Sequence, residues 1–141
     1  MNQSLIFGPV FAMMLLVCIV GVLTFRERVR QYKSMRLHPQ KAPTRKEFSA
    51  AMQDMRCADN PMNLFEVPMM FYVACIGLYV TRAVDLPALL IAWGYVFPRY
   101  GHSYVHCGSN IVMKRFKWFV ASDFVLIALW LLWGFRLVSE R

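Results

Sequence analysis

Charged residues are scarce in this chain. Only 17% of its 141 residues are charged and 58% are hydrophobic, whereas a soluble domain is about a quarter charged and about half apolar. The apolar residues are grouped in blocks, which is typical of membrane proteins. The composition therefore argues against a soluble protein, and the length fits a single domain over residues 1–141.

Closely spaced cysteines are also missing. The four cysteines include no CxxC pair, so neither the usual zinc spacing nor a thioredoxin-like motif is present. Cys18 and Cys75 lie in apolar runs and are expected to be small core residues. Cys57 and Cys107 lie beside polar stretches, and no redox compartment follows from their positions.

Acidic residues are half as frequent as basic ones, which gives a formal net charge of +8. Half of the 16 basic residues lie between Arg26 and Lys46, directly after a hydrophobic segment. The positive-inside effect and attraction to anionic lipid explain this cluster more simply than nucleic-acid binding does. We therefore expect a lipid bilayer as partner and no nucleic acid.

The hydrophobic blocks predict an all-α, integral membrane four-helix bundle. The predicted helices cover about residues 5–36, 45–82, 87–113 and 117–138. Residues 5–25 carry no charge and are long enough to span a bilayer. The run lacks a basic start and a cleavage site, so we interpret it as a retained helix. The basic first and third loops predict that both termini face away from the cytosol.

The second predicted helix carries a polar stripe within a membrane-spanning segment. At roughly 100° per residue, its members fall within roughly 120° of one another. They are Arg56, Asp59, Asn60, Asn63 and Glu66. Because such side chains are costly to expose to lipid, we expect them to face a bundle interior or a wet cavity.

The third predicted helix has a polar face at the same depth. Its members lie within roughly 80° of one another, and they are Tyr95, Arg99, His102, His106 and Asn110. Arg115 joins this face only if the helix ends around Gly108–Asn110. Glu66 requires a basic partner, which Arg56, Arg99 or Arg115 could supply.

Three interpretations of these polar residues remain open. The first is a hydrogen-bonded network that only fixes helix packing. The second is a metal site in which His102 and His106 share an ion with Glu66. The third is a pocket for a small anionic, polar ligand that is held by arginines and oriented by Asn and Glu side chains.

These polar residues also carry a resemblance to a known family. The pattern R-x3-N-x2-N-x2-E-x-P covers Arg56, Asn60, Asn63, Glu66 and Pro68, and R-x2-H at Arg99 and His102 follows, then Arg115. In this pattern the chain resembles the MAPEG family, membrane-associated proteins in eicosanoid and glutathione metabolism. The length, the helix layout and the basic first loop match as well, so the resemblance covers nearly the whole chain.

The resemblance implies a homotrimer that binds glutathione as cosubstrate between neighbouring subunits, at the cytosolic side. The implied glutathione ligands are Arg56, Asn60, Asn63, Glu66, Arg99, His102 and His106, with no metal. His106 stands where characterised members have a tyrosine. Arg115 matches the arginine that is thought to stabilise the glutathione thiolate, the nucleophile of the reaction.

The function that the resemblance implies is that of a membrane glutathione transferase or peroxidase. Its second substrate is a lipophilic electrophile or hydroperoxide from the bilayer. The alternative is a non-catalytic protein that binds lipid or a partner and whose polar network is structural. The sequence favours a divergent bacterial member in the inner membrane, and it leaves the second substrate open.

Overall fold

The described part of the chain folds into four long α-helices. The computed structural model describes residues 1–35 and 60–139, and all regular structure in these two ranges is helical. A short 3-10 helix, Gln3–Ile6, is followed by α1 Phe7–Met35, α2 Asn60–Val80, α3 Leu86–Cys107 and α4 Val112–Ser139. The prediction of an all-α, four-helix fold is confirmed. The predicted first loop and the start of the second helix, at residues 36–59, lie outside the described residues.

The turn between α3 and α4 comes earlier than the sequence pattern predicted. The third helix ends at Cys107 rather than near residue 113, because the backbone leaves the helix at Gly108. The N–H of Asn110 donates to the carbonyl of Val105 at 2.7 Å. Asn110 has a φ of 48°, a left-handed conformation that asparagine tolerates better than most residues. The chain therefore reverses direction within four residues, and α4 begins at Val112.

The core is built from apolar side chains on the facing sides of all four helices. Phe71 of α2 stacks on Tyr95 of α3 at 4.5 Å between ring centroids. Small buried residues, Ala74 on α2 and Ala88 and Ala92 on α3, let the helices approach closely. These contacts hold α3 in the centre of the described bundle.

Two glycines make room for tryptophans of α4. A Cβ at Gly77 would lie 2.2 Å from the Trp133 ring, and a Cβ at Gly101 would lie 2.8 Å from the Trp118 ring. Neither distance is sterically possible, so only glycine fits these positions without rearrangement. The two contacts fix α4 against α2 and α3.

One end of the bundle, here called the anchored end, is closed by hydrogen bonds between distant parts of the chain. The Gln3 side chain donates to the carbonyl of Val84 at 3.1 Å and accepts from the N–H of Val84 at 2.9 Å. Arg136 of α4 donates to the carbonyl of Ala83 and pairs with Asp85. The 3-10 helix and α4 are thus both hydrogen-bonded to the α2–α3 loop.

Asp85 also begins α3. Its carboxylate accepts a hydrogen bond from the N–H of Ala88 at 2.9 Å, which is an N-cap. Burial tends to raise the pKa of Asp85, but hydrogen bonds from Arg136 and Ala88 and the charge of Arg136 outweigh it. The pKa of this carboxyl is therefore held below its usual value.

Apolar side chains cover the outside of the bundle as well as its core. Two helical segments, Gln3–Ser34 and Val112–Ser139, are long and apolar enough to cross a bilayer, and the apolar part of α2, Leu64–Val80, is shorter. Every helix exposes at least one phenylalanine by more than three fifths of its surface. These are Phe11, Phe25, Phe65, Phe97, Phe124 and Phe135. A water-soluble monomer rarely exposes so much contiguous apolar surface.

Candidate functional site

The polar face of α3 lies inside the bundle, as its spacing predicted. Tyr95 and Arg99 are fully buried, and His102 and His106 are 3% and 2% exposed. Residues 95, 99, 102 and 106 follow one another at three- or four-residue steps, so their side chains form one line along the helix. Four of the five predicted members therefore share a face, whereas the fifth, Asn110, lies in the turn beyond the end of α3.

Arg115 joins this face because α3 ends at Cys107. The turn at residues 108–111 reverses the chain, and the first turn of α4 brings Arg115 back to the end of α3. Its Nη1 lies 3.0 Å from His106 Nε2 and donates to Asn110 Oδ1 at 2.9 Å. The condition for including Arg115 in the site, an early end of the third helix, is therefore met.

The contacts of Arg115 also fix the proton positions on both histidines. A guanidinium can only donate, so His106 Nε2 accepts from Arg115. His102 Nδ1 lies 3.1 Å from the carbonyl oxygen of Arg115, which can only accept, so Nδ1 carries the proton. In the neutral ring, His102 Nε2 then has a lone pair. This atom is buried and has no hydrogen-bond partner among the described residues.

A small cavity lies beside these groups at the α3–α4 turn. It has a volume of about 180 Å³ and is lined by His102, Val112, Arg115, Phe116 and Phe119. Arg115 offers N–H donors and a positive charge, and His102 offers an acceptor. We call this end of the bundle, around the α3–α4 turn, the site end. An anion with a neighbouring hydrogen-bond donor matches both groups.

Further along the same face, Arg99 interacts with groups on two other helices. Its guanidinium carbon lies 5.5 Å from the centre of the Phe119 ring, a cation–π contact. Its charge also interacts with Tyr72 of α2 and with Asp123 of α4. Sequence reasoning did not include Asp123, Tyr72 or Phe119 in the site. An acidic residue in the otherwise apolar α4 was the one available signal.

Glu66 is the member of the predicted polar stripe whose side chain the structure describes, and its position differs from the prediction. Glu66 lies on the exposed side of α2, and it forms no ion pair with Arg99 or Arg115, all three being described residues. Two of the three candidate partners of Glu66, Arg99 and Arg115, therefore do not pair with it within one chain. Arg56 lies outside the described residues, as do the side chains of Asn60 and Asn63.

The metal interpretation requires Glu66 as the third ligand, and Glu66 lies on the exposed side of α2. The rings of His102 and His106 are 5.4 Å apart and meet edge to face. Within residues 1–35 and 60–139, however, no three His, Cys, Asp or Glu side chains are grouped so that they could hold a metal ion. Hydrogen bonds with Arg115 instead occupy one nitrogen of each ring.

Comparisons with known proteins identify the family. A search of curated proteins and a search of solved structures each returned no match. The family model of the MAPEG family matches residues 6–135, nearly the whole chain and all four helices described above. The chain therefore belongs to the MAPEG family, a family of membrane-associated proteins in eicosanoid and glutathione metabolism.

Proposed function

We propose that this protein is a membrane glutathione transferase or peroxidase that acts on a lipophilic electrophile or hydroperoxide. The observation that carries the proposal is the position of Arg115. His106 and Asn110 hold its Nη1, which leaves the N–H groups of Nε and Nη2 for an anion in the adjoining cavity. A thiolate in this position gains a fixed positive charge and directed donors.

The chemistry follows from stabilising the thiolate. A cation beside the sulfur lowers the pKa of the thiol, so a larger fraction is present as the nucleophile. In the transferase reaction the thiolate sulfur attacks an electrophilic carbon of the second substrate and forms a thioether. The displaced electron pair departs with a leaving group such as halide, or, when a polarised double bond is attacked, it moves to the neighbouring carbon, which then takes a proton from water. His102 Nε2 accepts a hydrogen bond from a donor of the bound tripeptide and so orients it. Arg99 binds the same ligand, and its contacts with Phe119, Tyr72 and Asp123 hold its guanidinium in place.

The same proposal includes a homotrimer. Glu66 is exposed in the single chain, and apolar side chains surround it on α2, among them Phe65 and Met69. A carboxylate is costly to expose to lipid on such a face, so a second copy is the more favourable neighbour. Glutathione would then lie between subunits, with Arg56, Asn60, Asn63 and Glu66 from one and Arg99, His102, His106 and Arg115 from the other.

In this proposal the helices span a bacterial inner membrane with both termini outside the cytosol. The anchored end, which holds both helical termini, faces outward, and the site end faces the cytosol, where glutathione is available. The second substrate reaches the site from the bilayer. The basic residues at the end of α1 support this orientation through the positive-inside rule.

Thermal unfolding of the detergent-purified protein with and without millimolar glutathione tests the proposal. A ligand at 100 times its Kd stabilises the folded state by about 2.7 kcal/mol. We expect a clear upward shift in Tm for the wild type and for Lys114→Ala, an exposed cation next in the chain. The shift should be strongly reduced in Arg115→Ala. An equal shift in both variants would contradict the site.

Absence of any shift in the wild type would favour the second candidate function. In that case the protein is a non-catalytic member that binds lipid or a partner, and its polar face on α3 fixes helix packing. The extensive exposed apolar surface of all four helices supports such a role. Assays with chromogenic electrophiles and with lipid hydroperoxides separate the two functions further, because only the enzyme forms a thioether, or reduces the hydroperoxide with glutathione, faster than the uncatalysed reaction does.

A further inference from the structure

A second cavity lies on the other side of α3, between α1 and α3. It has a volume of about 330 Å³, which is in the range of cavities that hold small ligands. No described residue lines both this cavity and the cavity at Arg115. We call it the α1–α3 cleft.

The shape of the cleft fits an extended apolar chain. The α1 wall consists of Leu16, Ile19, Val20 and Leu23, a spacing that places all four on one side of the helix. Leu16 and Val20 are buried at its floor, whereas Ile19 and Leu23 are 43% and 41% exposed at its rim. From Leu16 to Leu23 the wall extends for about 10 Å along the helix. The cleft therefore opens sideways, toward the apolar outer surface.

One polar group in the cleft has no hydrogen-bond partner among the described residues. Ser103 of α3 lines the cleft and is 4% exposed. Its Oγ is buried and forms no hydrogen bond with any described residue. The neighbouring Tyr100 differs, because its hydroxyl donates to the carbonyl of Ala12 at 2.7 Å. A buried hydroxyl without a partner is costly, so Ser103 indicates a ligand with a hydrogen-bonding group.

Positive charge lies at the polar end of the same wall. Arg26 follows Leu23 by about one helical turn and is exposed. One turn later, Arg30 is exposed as well and pairs with Glu27 at 2.7 Å. The apolar cleft thus continues into a cationic patch, in the order in which a lipid changes from acyl chain to headgroup. Anionic lipid is favoured over neutral lipid by such a patch.

We propose that the α1–α3 cleft binds one acyl chain of an anionic phospholipid, with the ester carbonyl accepting a hydrogen bond from Ser103 and the phosphate facing Arg26. Each part of the lipid then meets a matching group: the chain meets Leu16 and Val20, the ester meets the hydroxyl, and the headgroup meets the guanidinium. The site is independent of glutathione, because Arg115 and His102 lie on a different side of α3.

Photolabelling locates the lipid. The full-length protein, reconstituted in phosphatidylcholine nanodiscs, receives phosphatidylglycerol with a diazirine in one acyl chain. After illumination, mass spectrometry should find the label concentrated in residues 16–23 and 100–107. Ile19→Trp or Leu23→Trp, which fill the cleft from its exposed rim, should reduce this labelling several-fold. Ile127→Trp, at an exposed position on α4, should leave it unchanged.

Competition between lipids tests the polar contacts. Labelling by phosphatidylglycerol should exceed that by a matched phosphatidylcholine probe, and Arg26→Gln should remove an advantage of about fivefold. Lys117→Gln, another exposed cation, should retain it. An ether-linked phosphatidylglycerol lacks the ester carbonyl and should label less well than the ester, and Ser103→Ala should abolish this difference.

Several results would overturn the proposal. Labelling spread evenly over the exposed faces of all four helices would mean ordinary boundary lipid. Equal labelling by the two headgroups would remove the role of Arg26. Cross-links between α1 and α3 of two different copies, formed without added lipid, would show that a second copy of the chain occupies the cleft.

Discussion

The polar groups at the two ends of the bundle differ in how fully they are hydrogen-bonded within the chain. At the anchored end, the Gln3 amide, the Asp85 carboxylate and the Arg136 guanidinium each bond with a distant part of the same chain. At the site end, His102 Nε2 and Ser103 Oγ are buried without a described partner. Arg115 has only its Nη1 bonded to side chains.

Because of this difference, we expect the stability of the fold and the binding of ligands to depend on different ends of the bundle. Polar groups that are satisfied within the chain hold helices together, whereas buried groups that are not satisfied cost free energy unless a ligand binds them. The anchored end therefore stabilises the fold, and the site end retains hydrogen-bonding capacity for molecules that are not part of the chain. Substitutions at the two ends should affect different measurements.

The largest expected effect is on catalysis at the site end. Arg115→Ala should lower kcat/KM for glutathione conjugation about 100-fold or more, as loss of a preorganised donor to a reacting anion does in other enzymes. Arg115→Lys retains the charge but presents a single nitrogen in place of the planar guanidinium fork, so it should recover only part of the activity. Steady-state kinetics with an excess of electrophile measures both.

Arg136→Ala provides the matched change at the anchored end. It removes the contacts with Ala83 and Asp85, so it should lower Tm while glutathione binding and kcat/KM stay near the wild-type values. If Arg136→Ala instead reduced activity as strongly as Arg115→Ala does, the separation of the two ends would be incorrect.

The next largest effect is steric. Gly77→Ala places a Cβ 2.2 Å from the Trp133 ring, and overpacking of this kind costs about 1–3 kcal/mol. Gly134→Ala meets no atom within 4 Å and should stabilise α4 slightly, since alanine favours helix more than glycine does. Thermal unfolding of both variants checks this. A Tm for Gly77→Ala at or above that of Gly134→Ala would mean that the Trp133 ring moves aside freely.

The sequence predicted which residues share a helix face better than it predicted where a helix ends or which helix a side chain contacts. The polar face of α3 was found because its side chains repeat at helical spacing within one uninterrupted helix. The early end of α3 rests on Gly108 and Asn110, single residues that also occur inside helices, so the boundary was misplaced. Asp123 was not assigned to the site because one acid in an apolar helix does not reveal which helix it faces.

The placement of Glu66 and the α1–α3 cleft could not be predicted for a different reason. Both depend on how helices rotate about their axes when they pack, which the pattern of one helix does not determine. Glu66 belongs to the right pattern but lies on the outer side of the single chain. A partner of Glu66 on a second copy cannot be identified from the contacts within one copy.

The smallest expected effect is the pH dependence of the anchored end. The pKa of Asp85 is lowered in the folded protein by Arg136 and Ala88, so its contribution to stability is present above the unfolded pKa of about 4. That contribution is lost as the pH falls through the folded pKa. The Asp85 side chain is 48% exposed, so solvent screens the pair and the change should be modest.

Asp85→Asn can retain the N-cap but has no charge to titrate. Its Tm should therefore be lower than that of the wild type at neutral pH and approach it in acid. A constant difference between the two proteins at all pH values would indicate that the Asp85–Arg136 pair contributes through geometry alone.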